Sequence, residues 1–126
     1  MPSAEAVERF IQGVLANEYV RTIAEFYTDN ATMRENQDAP RRGRNQLMAG
    51  EQTLLDRATS AASDCVRPVF INGDHVVIRW KFRFVWRDRS VTEMEEIACQ
   101  RWEGERIAEE QFFYDPAQRA PKPAIG

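Results

Sequence analysis

Every even position from Val76 to Trp86 in the stretch HVVIRWKFRFVWRD, His75 to Asp88, is apolar: Val76, Ile78, Trp80, Phe82, Phe84 and Trp86. Arg79, Lys81, Arg83 and Arg87 occupy the other parity. Strand side chains alternate faces with period two, so this stretch reads as a strand with one aromatic face and one basic face. At about 3.3 Å per residue it would run ~45 Å, long for a strand. A strand of that length needs a curved, twisted sheet around it and helices over its aromatic face. What lies between that face and the helices is the functional question.

The 126 residues fit one domain with one core, and 43% hydrophobic with 29% charged residues is a globular balance. A net charge of -3 argues against nucleic acid or an anionic membrane as partner. No run approaches the ~18 apolar residues of a membrane span, and MPSAEAVERF lacks the basic leader and apolar run of a signal peptide. A cytoplasmic location is expected. Cys65 and Cys99 lie mid-strand without metal-like spacing and read as small thiols in a reducing compartment. With one histidine and two cysteines, no metal site is expected. Nothing in the residues calls for a cofactor.

Along the chain, Val7, Phe10, Ile11, Val14 and Leu15 make one stripe of a helix over Ser3 to Ala16, with Ser3 as N-cap. A second helix carries Tyr19, Val20, Ile23, Phe26 and Tyr27 inward and ends at Thr28-Asp29-Asn30; Ala31 to Glu35 is a short strand. NQDAPRRG, Asn36 to Gly43, is a loop, and Arg44 to Ser60 a third helix. Its stripe would include Glu51, a costly residue to bury, so rotation toward Met48 is expected. From Cys65 the period becomes two. The strands are Cys65 to Ile71, the long strand, Val91 to Trp102 and Arg106 to Tyr114, joined through Asn72-Gly73, a loop Asp88 to Ser90, and Gly104-Glu105 as a type II′ turn. The expected fold is α+β, a curved antiparallel sheet packed on three N-terminal helices. Residues 1–118 form the single domain, and residues 119–126, rich in proline, a flexible tail.

Charge sets the expected register. Arg83 opposite Glu95 pairs opposite charges and Phe84 opposite Met94 pairs apolar groups; a one-residue slip sets Phe82 against Glu95. With Trp102 opposite Ile107 in the last hairpin, the inner face gains Glu96, Gln100, Glu109, Gln111 and Phe113. Hydrogen-bonding side chains on such a face need partners or a wet cavity.

AEFYTDNATMRE (Ala24 to Glu35), the Pro40-to-Gly43 loop before a helix, and EEIACQRWEGERIAEEQFFYDPAQ (Glu95 to Gln118) resemble the nuclear transport factor 2-like superfamily, in its SnoaL-like and ketosteroid-isomerase-like branch. The resemblance implies a cone-shaped sheet with a deep pocket at its wide end, a small apolar molecule in that pocket, and a homodimer through the outer sheet face. Val77, Val85, Ile97 and Cys99 on that outer face agree with the last point. In the isomerases a carboxylate base follows the strand after the second helix, where Glu35 stands. Their two oxyanion donors fall on Phe10 and Ala98, which cannot donate, so steroid isomerisation by that arrangement is not expected. The Asp-Arg-Asp set of epoxide hydrolases and the His-Asp pair of cyclases are not found; His75 sits at a turn.

Glu35 and Glu96 are the catalytic candidates. An aromatic pocket destabilises a carboxylate and can raise its pKa toward neutrality, making a useful acid or base. The plainer alternatives are a surface strand end for Glu35 and a pairing with Arg34 for Glu96. Gln100, Glu109 and Gln111 would form a polar floor, as ligand contacts or as a structural network. Tyr19, Tyr27, Trp80, Trp86 and Trp102 supply aromatic wall, as core or as ligand contacts, and Phe113 joins the ligand-contact candidates. Arg41, Arg42 and Arg44 make a basic loop, solvated or at the pocket mouth. The functions that fit are cofactor-free proton transfer on a small apolar carbonyl or polyketide-like compound, or a non-catalytic binding or dimerisation module of the same fold.

Overall fold

The structure is a computed structural model and describes residues 1–123. Helix α1 (Ala4–Leu15) is capped by Ser3, whose hydroxyl accepts from Ala6 N at 3.0 Å. It buries Val7, Phe10, Ile11 and Val14, the expected stripe. α2 (Tyr19–Phe26) runs directly into β1 (Tyr27–Glu35), so Tyr27 opens a strand rather than closing a helix. After the two-residue β2 (Arg41–Arg42) comes α3 (Arg44–Arg57), then β3 (Ala58–Asn72), β4 (His75–Trp86), β5 (Val91–Glu103) and β6 (Arg106–Phe113). β3 starts seven residues earlier than its composition suggests: Ala58 to Asp64 has little β-propensity, but it pairs with β4 from Trp86 to Lys81, which imposes the conformation.

The sheet order is β2-β1-β6-β5-β4-β3, with β4 flanked by strands on both sides. The β3 to β6 meander is antiparallel as expected, while β1 joins β6 in parallel, so the six-stranded sheet is mixed. Its core is the inner face of β4 against α1 and α2: Phe10 meets Phe26, Trp80 and Trp102 edge-on at 5.8, 6.4 and 6.0 Å between ring centres. α1 and α2 approach closely at Gly13, where an added Cβ would overlap Thr22 Oγ1. Gly13→Val is therefore expected to destabilise by about 1–3 kcal/mol despite a better helix propensity; an unchanged urea midpoint would contradict this contact.

Two registers differ from the sequence expectation. Between β4 and β5, Arg83 faces Glu93, Phe82 faces Met94 and Lys81 faces Glu95, two residues from the expected pairing, because the three-residue loop lies one residue earlier, at 87–89, where Trp86 N donates to Ser90 O at 2.9 Å. A two-residue slip keeps every side chain on its face, so the inner and outer sets survive. In the last hairpin Gly104, at φ +60, leads the expected two-residue turn and Trp102 does face Ile107. One step on, a bulge intervenes: Arg101 pairs with Glu109, leaving Ala108 as an extra residue on β6. This inverts the parity beyond it. Glu110 and Phe112 turn inward, whereas Glu109 and Phe113 are exposed on the outer face, with Gln111 half-buried there.

The chain does not run free after β6. Arg119 belongs to a short 3₁₀ turn (Pro116–Arg119). Gln118 accepts a hydrogen bond from Glu95 N at 2.6 Å, and Lys122 bridges Val91. Residues 114–122 thus lie along the part of β5 that β6 is too short to cover. The remainder of the expected tail, 124–126, lies outside the described residues.

Candidate functional site

A cavity of about 330 Å³ lies between the inner sheet face, α2 and α3. One wall is a ladder of rings from alternate positions of β4, with Trp80, Phe82, Phe84 and Trp86 stacked at 5.7, 6.0 and 5.5 Å. Such a ladder follows from the period-two pattern, because same-face side chains along one strand stand side by side. Tyr19 and Ile23 from α2 and Leu54 from α3 close the other side.

Four carboxyl groups open onto this space: Glu35, Glu51, Glu96 and Glu110. Glu96 stands beside Trp80 on the neighbouring strand and is 8% exposed. No hydrogen bond or ion pair reaches its carboxyl from the described residues. Burial, reinforced by the charges of Glu35, Glu110 and Glu51, pushes its pKa up to about 8. At neutral pH it is a protonated acid facing the cavity. Arg34, its possible partner from sequence, instead donates to the Asp38 and Gln37 carbonyls.

Glu110 is the base of a buried chain. Tyr27 OH donates to its Oε1, Gln100 Nε2 donates to its Oε2 at 2.6 Å, and Trp102 Nε1 donates to Gln100 Oε1 at 2.9 Å. Burial raises its pKa to about 7, while the Tyr27 and Gln100 hydrogen bonds pull the other way. Gln100 and Trp102, expected as ligand contacts, are fully buried beneath the cavity and support Glu110 from below.

Glu35 lies at the mouth. Arg41 Nη2 donates to its Oε2 at 2.7 Å and Tyr114 OH to its Oε1 at 3.2 Å. Arg119 Nε donates to the same Tyr114 hydroxyl at 2.5 Å, and its guanidinium also approaches Asp38 at 3.6 Å. Both arginines at the mouth are thus already engaged.

Of the sequence candidates, Glu35, Glu96, Tyr19, Tyr27 and Trp80 line one cavity. Glu109, Gln111 and Phe113 do not: with parity inverted by the bulge, Glu109 pairs with Arg101 at 3.2 Å on the outer face, and Gln111 donates to Asn36 O at 2.7 Å. Glu51, expected to turn away, lines the cavity, and its pKa is raised first by burial. Its place on the Leu47-Glu51-Leu54 stripe was the available signal. Of the basic loop, Arg41 reaches the mouth, whereas Arg44 bonds Asp29 at 2.7 Å. Among the described residues no cluster of His, Cys, Asp and Glu suited to a metal is present, and no helix is long and apolar enough to cross a membrane.

The architecture has solved counterparts. A protein assigned as a SnoaL-like polyketide cyclase from Mesorhizobium loti is 18% identical, with TM-score 0.75 over 90% of this chain and 100% of that one. A protein with a ketosteroid isomerase-like fold from Catenulispora acidiphila, solved in complex with trimethylamine, is 15% identical, with TM-score 0.75 over 92% of this chain and 89% of that one. An LEH-like epoxide hydrolase from M. tuberculosis is 16% identical, with TM-score 0.74 over 90% of this chain and 83% of that one. At these identities the likeness establishes the nuclear transport factor 2-like α+β fold and not the chemistry. Among curated proteins none matches this sequence. The profile of the SnoaL-like domain family does match, over residues 7–110, and with the observed topology it places this chain in that family.

Proposed function

We propose that the protein catalyses cofactor-free proton transfer on a small apolar carbonyl or polyketide-like compound, with Glu96 as proton donor and Glu35 as proton acceptor. The observation that carries this reading is Glu96: a buried carboxyl without a partner, protonated at neutrality, on a cavity otherwise walled by aromatic rings. The substrate's apolar body lies on the β4 ladder. Its carbonyl oxygen accepts the Glu96 proton while the Glu35 carboxylate removes a proton from the adjacent carbon, giving the neutral enol; return of a proton to carbon completes isomerisation or ring closure. Arg41 and Tyr114 orient Glu35 from the rim.

The test follows deuterium from D2O into the C–H positions beside the carbonyl of a panel of cyclic ketones and 1,3-dicarbonyls. Glu35→Gln and Glu96→Gln are each expected to slow the exchange by about 10²–10⁴-fold while leaving the circular dichroism spectrum intact. Exchange at the parental rate in either variant would remove that residue from the mechanism.

A second reading, a binding module without turnover, draws support from the Arg41 contact, which already occupies one oxygen of Glu35. Under it, Glu35→Gln binds the same ketones as well as the parent does and no exchange is seen in either protein.

For either reading we infer a homodimer through the outer sheet face, where Ile97 and Phe113 are exposed opposite each other on β5 and β6 and Phe70 is exposed on β3. Sedimentation at micromolar concentration should show the dimer; monomer alone would count against it.

A further inference from the structure

We infer that the cavity is built for a positive charge on its ligand, and that it binds lipophilic ammonium ions in preference to their uncharged isosteres, with Glu96 as the ion-pairing partner. Four carboxyl groups and two guanidinium groups surround one space. Glu35, Glu51, Glu96 and Glu110 face it, against Arg41 and Arg119. Both cations are already spent locally, Arg41 on Glu35 and Arg119 on Tyr114 and Asp38. The Glu110 oxygens take hydrogen bonds from Tyr27 and Gln100, neither of which carries charge. Glu96 has nothing. A site meant to hold an anion would aim free donors into the cavity; among the described residues this one aims carboxyl oxygens into it instead.

The apolar wall points the same way. The ladder from Trp80 to Trp86 stacks ring on ring and lines the cavity with apolar surface, and an ammonium–carboxylate pair gains more where such a surface has displaced water. A carboxyl that is nine-tenths buried beside those rings, and unpartnered, supplies the counter-charge. An ammonium group bearing an apolar substituent satisfies both features at once, whereas a neutral ligand leaves Glu96 to keep its proton.

Glu96 is shared with the proposed proton transfer, on which the role given to it there rests. It becomes an anion when it gives up its proton, and an ammonium ion bound beside it pairs with that ionised form. The binding claim does not need turnover.

Benzyltrimethylammonium and its uncharged carbon isostere neopentylbenzene make the test, because neither probe titrates. Dissociation constants are measured by ligand-observed NMR between about pH 6 and pH 9. The groups around Glu96 that can titrate or carry charge are Glu35, Glu51, Glu110, Tyr27, Tyr114, Arg41 and Arg119. The tyrosine pKa values are raised by burial, so Glu96 and Glu110 are the groups that change in this range. Since Glu96 must lose its proton to pair with the cation, affinity for the ammonium probe should rise by up to tenfold per pH unit up to about 8 and then level off. At pH 8.5 the cation should bind at least tenfold more tightly than the isostere, whose affinity stays flat or falls. Glu96→Gln, which mimics the protonated acid and keeps the fold, should lose both the preference and the slope. Equal affinity for the two probes at pH 8.5, or a cation preference that survives Glu96→Gln unchanged, overturns the inference. Glu35→Gln separates the two ideas: it should end deuterium exchange yet retain ammonium binding. Failure of exchange in the parent with cation binding intact sinks the catalytic reading alone.

Discussion

Glu96→Gln should be more stable than the parent at pH 8 and nearly equal to it at pH 5. The sign follows from proton counting. An unfolded glutamate titrates near ~4.5, whereas in the fold Glu96 is pushed up to about 8 and Glu110 to about 7. Between those limits the folded chain holds protons that the unfolded chain has released. Stability therefore falls as pH rises through this window, by up to roughly 1.4 kcal/mol per pH unit for each group, and levels off above about 8. Glutamine at position 96 carries the neutral form permanently and removes its share, a gain on the order of a few kcal/mol at pH 8, or about 10 °C in Tm. Below the window the trend reverses. Glu8 and Glu95, held below their ordinary range by Arg67 and Arg79, lose those ion pairs as they protonate; both are exposed, so the reversal is shallow. Urea titrations of parent and variant at pH 5, 6.5 and 8 decide it. Parallel curves would mean that Glu96 is hydrated and ordinary. Glu110→Gln should not stabilise equally, because its amide would set an N–H against the donors Tyr27 or Gln100.

Phe10→Ala should cost about 3–5 kcal/mol, enough to bring a domain of this size close to unfolding at 37 °C. Phe10 is 3% exposed and meets four rings, Phe26, Tyr27, Trp80 and Trp102, at 5.8 to 6.4 Å. These come from α2, β1, β4 and β5, so truncation leaves a cavity that no single element can fill by moving. Tyr27 is the second casualty, since Phe10 supports the ring whose hydroxyl reaches Glu110. A loss below about 1 kcal/mol would show that these rings repack around the gap. Phe10→Leu, which keeps most of the volume, should recover more than half of the loss.

The fold was legible because its signals are long. The alternation of β4 fixes which residues face inward whatever the pairing, and the helical stripe of α1 spans three turns. Register was less legible, and for different reasons in the two hairpins. The β4–β5 error was even, so it changed partners without changing faces. The β6 error was odd, and the local sequence could not reveal it. Residues 109–113 read EEQFF, and the doubled glutamate and doubled phenylalanine offer one of each to the inner face in either parity. Only pairing with β5, through the bulge at Ala108, selects Glu110 and Phe112. Glu51 was hidden by a sound rule applied in the wrong setting. Burying an unpaired carboxyl is costly in a packed core, but its neighbour here is a cavity. Arg119 and Tyr114 escaped notice because their roles depend on where the chain returns after β6, and proline-rich composition says little about that.

The bulge at Ala108 also bears on which changes of length β6 can survive over generations. Loss of the codon for Ala108 would leave Ile107 opposite Trp102 and bring Glu109 opposite Arg101 by regular pairing, so every later residue would keep its present partner. A second loss, from 109 to 112, with no extra residue left to absorb it, would instead draw the rest of the strand back a step, exchanging inside for outside and breaking the Glu110 chain or the cavity wall. Along this strand, then, one single-residue deletion should be inherited freely and a second purged.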